Sequence, residues 1–347
     1  MKAGILTFHN SRNYGAVLQA YALCSVMNRL GVETEIINYR SANIEDKLKL
    51  WNPMKNLPKA VLQFIFRYRK KRAFDSFEKN VLKTGKNAIK RDTVIDELNK
   101  YDEVIVGSDQ VWNEKIIGND STYFLPDVNG KKIAYAASVG DIVDISRDIL
   151  KYIKKYDCVS VREERLNQVL VSQGIESRTC CDPTVLAGVD CFEKITADPI
   201  MKEDYVFVFM IWDSPRLLEN AKKFAQANGL KIINNKSSLE FFLHCKPEEF
   251  LSWIKNASFV FTNSFHGTVF SLLFHKRFVS SICKNNNEKN LRVKELMIYL
   301  GCENNIINDE NSQIETIKKL DYDMIEKKLQ NMREESMIYL KKSLGTS

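Results

Sequence analysis

The sequence predicts an α/β protein with two Rossmann-like, doubly wound domains that face a cleft. Two observations favour this class: apolar runs of strand length alternate with amphipathic helical segments, and the alternation starts again after residue 200. The 347 residues also suffice for two domains of roughly 150 residues each. In open α/β sheets ligands bind at the carboxyl ends of the strands, so the loops after the strands are the candidate site.

The first forty residues have the pattern of a βαβ unit. An apolar run from Ala3 to Phe8 precedes a helical stripe from Gly15 to Leu30, and Gly31 stands where a left-handed residue often ends a helix. Val32 to Tyr39 then alternates like a second strand. The pattern therefore predicts a parallel strand pair.

The rest of the first domain is less regular at its start. Between residues 41 and 90, Pro53, Pro58 and scattered charges indicate a loop and then one or two helices. The predicted elements that follow are helix Thr93–Asn99, strand Glu103–Gly107, strand Ile133–Ser138, helix Ser146–Tyr156, strand Cys158–Val161, helix Glu163–Gln173 and a short strand before Asp182.

The second domain begins with the most apolar run of the chain. The predicted elements are strand Tyr205–Ile211, a helix from Pro215 to Gly229, strand Leu230–Ile233, helix Pro247–Asn256, strand Ser258–Thr262, helix Gly267–Phe274 and helix Asp321–Leu344. We expect domains at residues 1–190 and 200–315, with the boundary between Asp182 and Tyr205. The last helix has an apolar stripe, so residues 316–347 are expected to pack on the first domain.

Composition excludes several classes of protein. The chain has 51 Lys and Arg against 44 Asp and Glu, a net charge of +7 that is too mild for a nucleic-acid binder. Its longest apolar run falls far short of the ~18 residues that cross a membrane, and the N-terminus lacks a secretory signal. Eight cysteines include no Cys-x-x-Cys spacing, so we expect reduced thiols, no metal site and a cytoplasmic protein.

One basic cluster stands out, and it has two interpretations. A solvated helix face with Phe74 and Phe77 on its core side would explain it; docking on an anionic membrane surface, as a peripheral contact at the inner face, is the alternative. Its residues, interleaved with Phe66 and Tyr68, are Arg67, Arg69, Lys70, Lys71 and Arg72.

The first two candidate loops follow strands of the first domain. His9–Gly15 opens a helix whose N-terminus could receive an anion, although no Gly-x-Gly-x-x-Gly is present. Gly107–Asn113 either binds substrate or holds an Asp helix cap and a packing Trp112. The candidate substrate-binding residues in these loops are Asn13, Tyr14, Gly15, Ser108, Asp109 and Gln110.

The third loop contributes an arginine at a strand end. Arg162 either grips a phosphate or carboxylate through its guanidinium fork or pairs on the surface with Glu163 or Glu164.

The fourth loop holds the strongest catalytic candidate. His266 stands between an apolar strand and a helix, beside a glycine that permits close approach, and histidine is the commonest general acid or base near neutral pH. Asn263 and Ser264 precede it as candidate substrate-binding residues. His275, near a helix end, is more typical of a capping residue.

These loops, in this order, resemble those of the polysaccharide pyruvyl transferase family. The residues that carry the resemblance are GILTFHNSRNYGAVLQAYAL, VIVGSDQVWN, YAASVG, SVREE, CDPTVL, TNSFHGTVFSLLF and Asn290-Leu291-Arg292. The resemblance implies a fold like the GT-B glycosyltransferases. It also implies transfer of a pyruvyl group from phosphoenolpyruvate to a sugar of a cell-surface polysaccharide or its precursor, as a ketal across two hydroxyls.

The resemblance also assigns roles to residues. By motif position the family's histidine maps to His266 and its strand-end arginine to Arg162. Phosphoenolpyruvate carries a phosphate and a carboxylate, which arginines and helix N-termini can bind, so we expect no cofactor beyond this donor substrate. Some members have arginine where this chain has Ser264, so a phosphate contact would come from Arg292, Lys276 or Arg277.

Two other functions stay open on the sequence. A GT-B-type glycosyltransferase that uses a nucleotide-sugar would share the architecture, and a non-catalytic glycan-binding module would bind sugar without turnover. The chain has no Gly-x-Ser-x-Gly elbow, Walker A motif or His-Glu-x-x-His. The expected partners are phosphoenolpyruvate and a sugar or glycan acceptor, lipid-linked or not, and the oligomeric state is left open.

Overall fold

The computed structural model describes residues 2–50, 57–140, 145–282, 291–307 and 319–346. The chain divides into two compact units, Met1–Ala187 with Met332–Ser347 and Gly188–Asn331. Each unit holds one parallel β-sheet with helices between successive strands, so the prediction of two doubly wound α/β domains is confirmed.

The sheet of the first unit has six strands in the order β2-β1-β3-β4-β5-β6, and every neighbouring pair is parallel. The carboxyl ends of all six strands therefore lie along one edge. The strands are β1 Lys2–Leu6, β2 Glu33–Ile36, β3 Glu103–Val106, β4 Lys131–Ala137, β5 Cys158–Val161 and β6 Arg178–Thr179.

Helices surround this sheet. The core between the layers contains buried Leu6, Val104, Val106, Ala134 and Val159 from four neighbouring strands. The helices are α1 Tyr14–Arg29, α2 Ala42–Lys47, α3 Leu57–Asn80, α4 Val94–Leu98, α5 Glu114–Ile117, α6 Arg147–Ile153, α7 Glu164–Ser172 and α8 Pro183–Ala187.

The second unit repeats the architecture with five parallel strands in the order β11-β10-β9-β7-β8. Its strands are β7 Tyr205–Phe209, β8 Lys231–Asn234, β9 Phe259–Thr262, β10 Phe278–Ser281 and β11 Ile306–Ile307. Its helices are α9 Val189–Glu193, α10 Pro215–Asn228, α11 Leu239–Leu243, α12 Pro247–Lys255, α13 Phe265–Leu273 and α14 Leu291–Leu300.

The last helix, α15, runs from Tyr322 to Leu344 and belongs to the first unit from Met332 onward. There the Tyr339 hydroxyl donates to the carbonyl of Ala134 on β4 at 2.9 Å, and Ser336 accepts from the Cys181 amide at 2.9 Å. These buried hydrogen bonds fix the C-terminal half of the helix to the first sheet.

Two local predictions differ from the structure. Strands β10 and β11 were not predicted, and parallel pairing defines both, for example that of Val279 with Phe261 on β9. Helix α13 begins at Phe265, two residues before the predicted Gly267, because Ser264 caps it. Within the described ranges, no helix is both long and apolar enough to cross a bilayer.

Candidate active site

His266 lies in the first turn of α13, directly after the carboxyl end of β9. Ser264 Oγ accepts a hydrogen bond from the Gly267 amide at 3.2 Å, so the helix begins two residues before the predicted start at Gly267. His266 therefore lies in the helix, whereas the sequence had placed it in the loop before the helix. It is 8% exposed, so the surrounding residues fix its imidazole more tightly than a surface histidine.

Gly267 is required by the close packing of α13 on β9. A Cβ atom at this position would lie 2.3 Å from Thr262 Oγ1, far inside van der Waals contact. That hydroxyl is fixed, since it donates to the Phe209 carbonyl at 2.8 Å and accepts from the Ser264 amide at 3.0 Å. The glycine lets the helix that carries His266 approach the strand.

Asn263 holds two loops of the second unit together. Its side-chain oxygen accepts from the Ile211 amide at 2.8 Å, and its amide nitrogen donates to the Trp212 carbonyl at 3.1 Å. The loops after β7 and β9, which are neighbours in the sheet, are joined by this side chain. Its contacts with the protein give it a positioning role beside His266.

Arg292 and His266 both contact the aromatic ring of Phe265. The Arg292 guanidinium lies 5.6 Å from the centre of the Phe265 ring, and the His266 imidazole meets the same ring edge-on at 5.2 Å. Arg292 is the second residue of α14, which follows β10, so both residues are at the carboxyl edge of the sheet. A guanidinium and an imidazole thus lie at the same edge. Asn290, quoted with Arg292, lies outside the described residues.

Lys276 and Arg277, the other two cations considered for a phosphate contact, lie at the opposite edge. Both immediately precede β10, at the amino ends of the parallel strands. Lys276 Nζ donates to the Lys255 carbonyl at 2.9 Å, and burial lowers its pKa. Arg277 lies 5.6 Å over the Phe259 ring. The suggestion that either one meets a substrate beside His266 is therefore wrong.

In the first unit, Arg162 is part of a buried ionic network. Its Nη1 donates to Asp182 Oδ2 at 2.8 Å, and its Nε is 3.5 Å from Glu163 Oε1. The alternative of a pair with Glu163 is right in its partner but wrong in its place, because the Arg162 side chain is 4% exposed, and Asp182 is a second and closer acid. Burial lowers the pKa of Arg162, but Glu163, Asp182 and Asp109 raise it by more. The donor-binding role of Arg162 stays a prediction.

Asp182 connects two predicted site residues. Ser108 Oγ donates to Asp182 Oδ2 at 3.2 Å, the oxygen that Arg162 also binds, while Thr184 donates twice to Oδ1. The structure thus brings Ser108 and Arg162 together through a carboxylate that the sequence analysis did not select. Its presence in the CDPTVL motif was the available signal. Ser138 extends the network, donating to Glu163 at 2.5 Å.

Asp109 has an unusual backbone. Its φ is +76°, in the left-handed region that costs a non-glycine residue on the order of 1 kcal/mol or more. Its side chain accepts from the Gln110 amide at 2.8 Å. The interpretation of Asp109 as a helix cap is wrong, because Asn113 caps α5 and also donates to Gln110 at 2.6 Å. Trp112 is fully buried, as its packing interpretation required.

In the loop after β1, Asn13 caps helix α1 and Tyr14 packs against helix α3. Asn13 caps α1, with its side chain accepting from the Gly15 amide at 3.0 Å. The Tyr14 ring is buried 4.9 Å from the Phe74 ring, and Lys70 Nζ lies 5.2 Å over it. These contacts place the three predicted residues at the start of α1, next to α3.

A cavity of about 410 Å³ opens beside this loop. In the described part of the chain Arg12 makes no ion pair, and the buried Asn10 amide nitrogen has no hydrogen-bond partner. Donors of this kind suit a sugar hydroxyl or an anionic group. The residues around the cavity are His9, Asn10, Ser11, Arg12, Arg40, Glu45, Leu48, Lys49, Leu50, Lys71, Phe74, Asp75 and Glu78. Neither Arg12 nor Arg40 was predicted as a site residue from the sequence.

His9 borders this cavity as a neutral, buried residue. Its Nδ1 is 3.2 Å from the Thr7 carbonyl and its Nε2 is 3.3 Å from Asn38 Oδ1. Burial, together with the nearby Arg40 charge, lowers its pKa to about 4. Across the described residues, no group of three His, Cys, Asp or Glu side chains could hold a metal ion.

A sequence model of the family described as polysaccharide pyruvyl transferase matches residues 13–283. The chain belongs to the polysaccharide pyruvyl transferase family. The match includes Asn13, Ser108, Arg162 and His266, whereas Arg292 lies beyond it. No curated protein sequence matches this family member.

Solved structures add information on the fold of this pyruvyl transferase family member. A Listeria monocytogenes protein assigned as a UDP-N-acetylglucosamine 2-epimerase is similar with a TM-score of 0.50 at 10% identity, covering 95% of this chain and 90% of that one. Escherichia coli heptosyltransferase WaaC is similar with a TM-score of 0.39 at 11% identity, covering 95% and 99%. The likeness to the Listeria monocytogenes protein, which has a GT-B-like fold, agrees with the fold class predicted from the sequence.

Proposed function

We propose that this protein transfers the pyruvyl group of phosphoenolpyruvate to two hydroxyls of one sugar in a cell-surface polysaccharide or its precursor, forming a cyclic ketal. Family membership supports pyruvyl transfer onto polysaccharide. The observation that carries the proposal is the pair of His266 and Arg292 at one sheet edge, in contact with the same Phe265 ring.

The proposed reaction balances with a single proton-transfer group. Both sugar hydroxyls lose a proton and bond to C2 of the donor. One proton ends on the methylene carbon, which becomes a methyl group, and the other leaves with inorganic phosphate as the C2–O bond to the phosphate breaks. No oxidant, reductant or cofactor is required, and phosphoenolpyruvate is the only co-substrate.

His266 is proposed to move these protons. A neutral imidazole can accept a proton from an attacking hydroxyl and then donate it to the methylene carbon or the departing phosphate. Arg292 is proposed to hold the donor's phosphate or carboxylate, since a guanidinium binds either group through two parallel hydrogen bonds. Arg292 would then supply the phosphate contact that an arginine at the position of Ser264 supplies in some family members.

The reaction is proposed to occur in the cytoplasm. Five cysteines of the described chain are unpaired thiols, as is typical of a reducing compartment. These are Cys24, Cys158, Cys180, Cys181 and Cys302.

A donor comparison tests the proposal. Phosphoenolpyruvate, UDP-sugars and CMP-sugars are each added to the full chain in a thermal-shift assay; a ligand at ~100 times its dissociation constant adds about 2.7 kcal/mol of stability. Phosphate release is then measured with phosphoenolpyruvate and a panel of sugars. We expect stabilisation by phosphoenolpyruvate and sugar-dependent phosphate release. Stabilisation by a nucleotide-sugar alone would overturn the proposal in favour of a glycosyltransferase, and sugar binding without turnover would favour a glycan-binding module.

A further inference from the structure

The N-terminal half of α3 carries an exposed apolar segment, residues 61–68. The C-terminal half of the same helix packs normally, since Ala73, Phe74 and Phe77 are buried. In the exposed apolar segment five large side chains are between 37% and 48% exposed: Val61, Phe64, Ile65, Phe66 and Tyr68. The helix therefore packs through its C-terminal half, whereas these five side chains of its N-terminal half are partly exposed.

This exposure is concentrated rather than scattered. Five of the 13 large apolar side chains that are exposed in the described chain fall within these eight residues, and the others are single or in small groups. Single exposed apolar residues are ordinary, whereas a contiguous patch marks a contact surface. The exposed apolar segment is thus the strongest contact surface that the described residues offer.

A basic cluster adjoins it. No acidic residue occurs between positions 61 and 72. Lys71 pairs with Asp75, and Arg67 donates to the Lys49 carbonyl at 3.3 Å, while Arg69 and Arg72 are exposed. The cluster consists of Arg67, Arg69, Lys70, Lys71 and Arg72, so residues 61–72 carry five basic side chains and no acidic one.

We propose that this half of α3 docks on an anionic lipid membrane, with the exposed apolar segment in the interfacial layer and the basic cluster against the headgroups. Interfacial helices lie in the plane of the membrane with the apolar face buried by roughly 5–10 Å, and the eight residues would lie along that plane over about 12 Å. Basic residues at such a surface are attracted by anionic lipid.

Charge favours lipid over a second copy of the chain as the occupant. Two copies that met symmetrically through this segment would bring two basic clusters together, which is unfavourable. An anionic surface instead neutralises them. The C-terminal half of the same helix lines the cavity beside His9 with Lys71, Phe74, Asp75 and Glu78, so docking would bring a lipid-linked sugar close to that cavity. The membrane proposal itself rests on α3 and is independent of the proposed reaction.

Vesicle flotation of the full chain tests the proposal. One set of vesicles is phosphatidylcholine alone, and the other is equal parts phosphatidylcholine and phosphatidylglycerol. We expect binding to the anionic vesicles only, and weaker binding as salt is raised, because salt screens exposed charges. Equal binding to both sets, or binding to neither, would overturn it.

Matched variants distinguish lipid binding by this surface from non-specific binding of exposed side chains elsewhere in the chain. Ile65→Ser with Tyr68→Ser is expected to weaken binding at least about tenfold. The control pair Ile298→Ser with Tyr299→Ser, at equally exposed positions of α14, is expected to change nothing. Arg69→Gln with Arg72→Gln should weaken binding about 30-fold, against no change for the exposed pair Arg147→Gln with Arg216→Gln.

Two further measurements keep the result interpretable. Circular dichroism should give the same unfolding temperature for all variants, because the substituted side chains are exposed. Sedimentation without lipid reports the oligomeric state. A dimer that is lost on Ile65→Ser with Tyr68→Ser would overturn the proposal and assign the surface to a second copy of the chain.

Discussion

Arg162 and Asp182 form a buried ion pair, with Nη1 donating to Oδ2 at 2.8 Å. Each residue comes from a segment after a strand, β5 for the arginine and β6 for the aspartate, and Ser108 reaches the same oxygen from the end of β3. The pair therefore joins three loops at the carboxyl edge of the first sheet. Removing one member of a buried pair leaves the other charge without compensation, which costs far more than breaking an exposed pair.

Substitution of Asp182 by asparagine should destabilise the first unit. Asp182→Asn keeps the shape but leaves the buried Arg162 charge only its longer contact with Glu163 and weakens the acceptor of Ser108, so we expect a loss of up to about 3–5 kcal/mol in the free energy of unfolding. Urea denaturation measures it. The control Glu219→Gln, which breaks an exposed pair with Lys223, should have no measurable effect. Equal effects of the two substitutions would show that the buried pair is not structurally important.

Arg162→Lys tests the donor role predicted from the sequence. The variant keeps the charge and loses the guanidinium fork. If Arg162 holds phosphoenolpyruvate, calorimetric titration should show weaker binding by about tenfold or more. Unchanged affinity with lowered stability would leave Arg162 only its structural partnership with Asp182.

Replacement of His266 should remove turnover and spare binding. His266→Ala is expected to lower the rate of phosphate release by about 10²- to 10⁴-fold, the range for loss of a general acid or base. Donor affinity, measured by thermal shift, should change little. His244→Ala is the control, because His244 is partly exposed and pairs with Glu249. Normal turnover in the His266 variant would move the search for the catalytic acid to His9, Asp109 and Tyr14.

Arg292 and Arg277 provide a matched test of which sheet edge binds the donor. Arg292→Gln removes a cation at the carboxyl edge, and we expect about 10- to 100-fold weaker phosphoenolpyruvate binding. Arg277→Gln removes one at the amino edge and should leave affinity unchanged. Titration calorimetry on both variants decides between the edges, and the reverse result would contradict the assignment of Arg292.

The free energy of unfolding should decrease as the pH is lowered, because His9 titrates differently in the folded and unfolded chains. The residue is buried and its pKa is about 4, whereas an unfolded histidine titrates near 6.5. Between these values the unfolded chain takes up a proton that the folded chain does not. The contribution of His9 is therefore fully present above about pH 6.5 and is lost as pH falls towards 4, by about 3 kcal/mol in all.

Urea denaturation at pH 7 and pH 4.5 checks this dependence. His9→Gln should give a flatter pH profile of unfolding free energy than the natural chain. His244→Gln, at a partly exposed position, should not change the profile. An identical slope in the His9 variant would show that other groups control the acid sensitivity.

The sequence by itself determined the fold class and the loops where the site was expected. Alternation of apolar runs with helical stripes is a local pattern, so strand β5 has the predicted bounds Cys158–Val161, and Gly229 ends α10 in the left-handed conformation. Strand β10 was missed from the sequence, and its parallel pairing with β9 defines it. His266 was selected as a candidate because its position after a strand is visible in the sequence, and its catalytic role stays a prediction.

Only the tertiary structure decided what the polar residues contact. Asp182 and Arg162 are 20 residues apart, and Ser108 is 74 residues from Asp182, so no local pattern shows that they share one oxygen. The sheet direction likewise separated Arg292 from Arg277, because parallel strands send every carboxyl end to one edge and every amino end to the other. Charge and residue type are properties of the sequence, but partners depend on how distant segments pack.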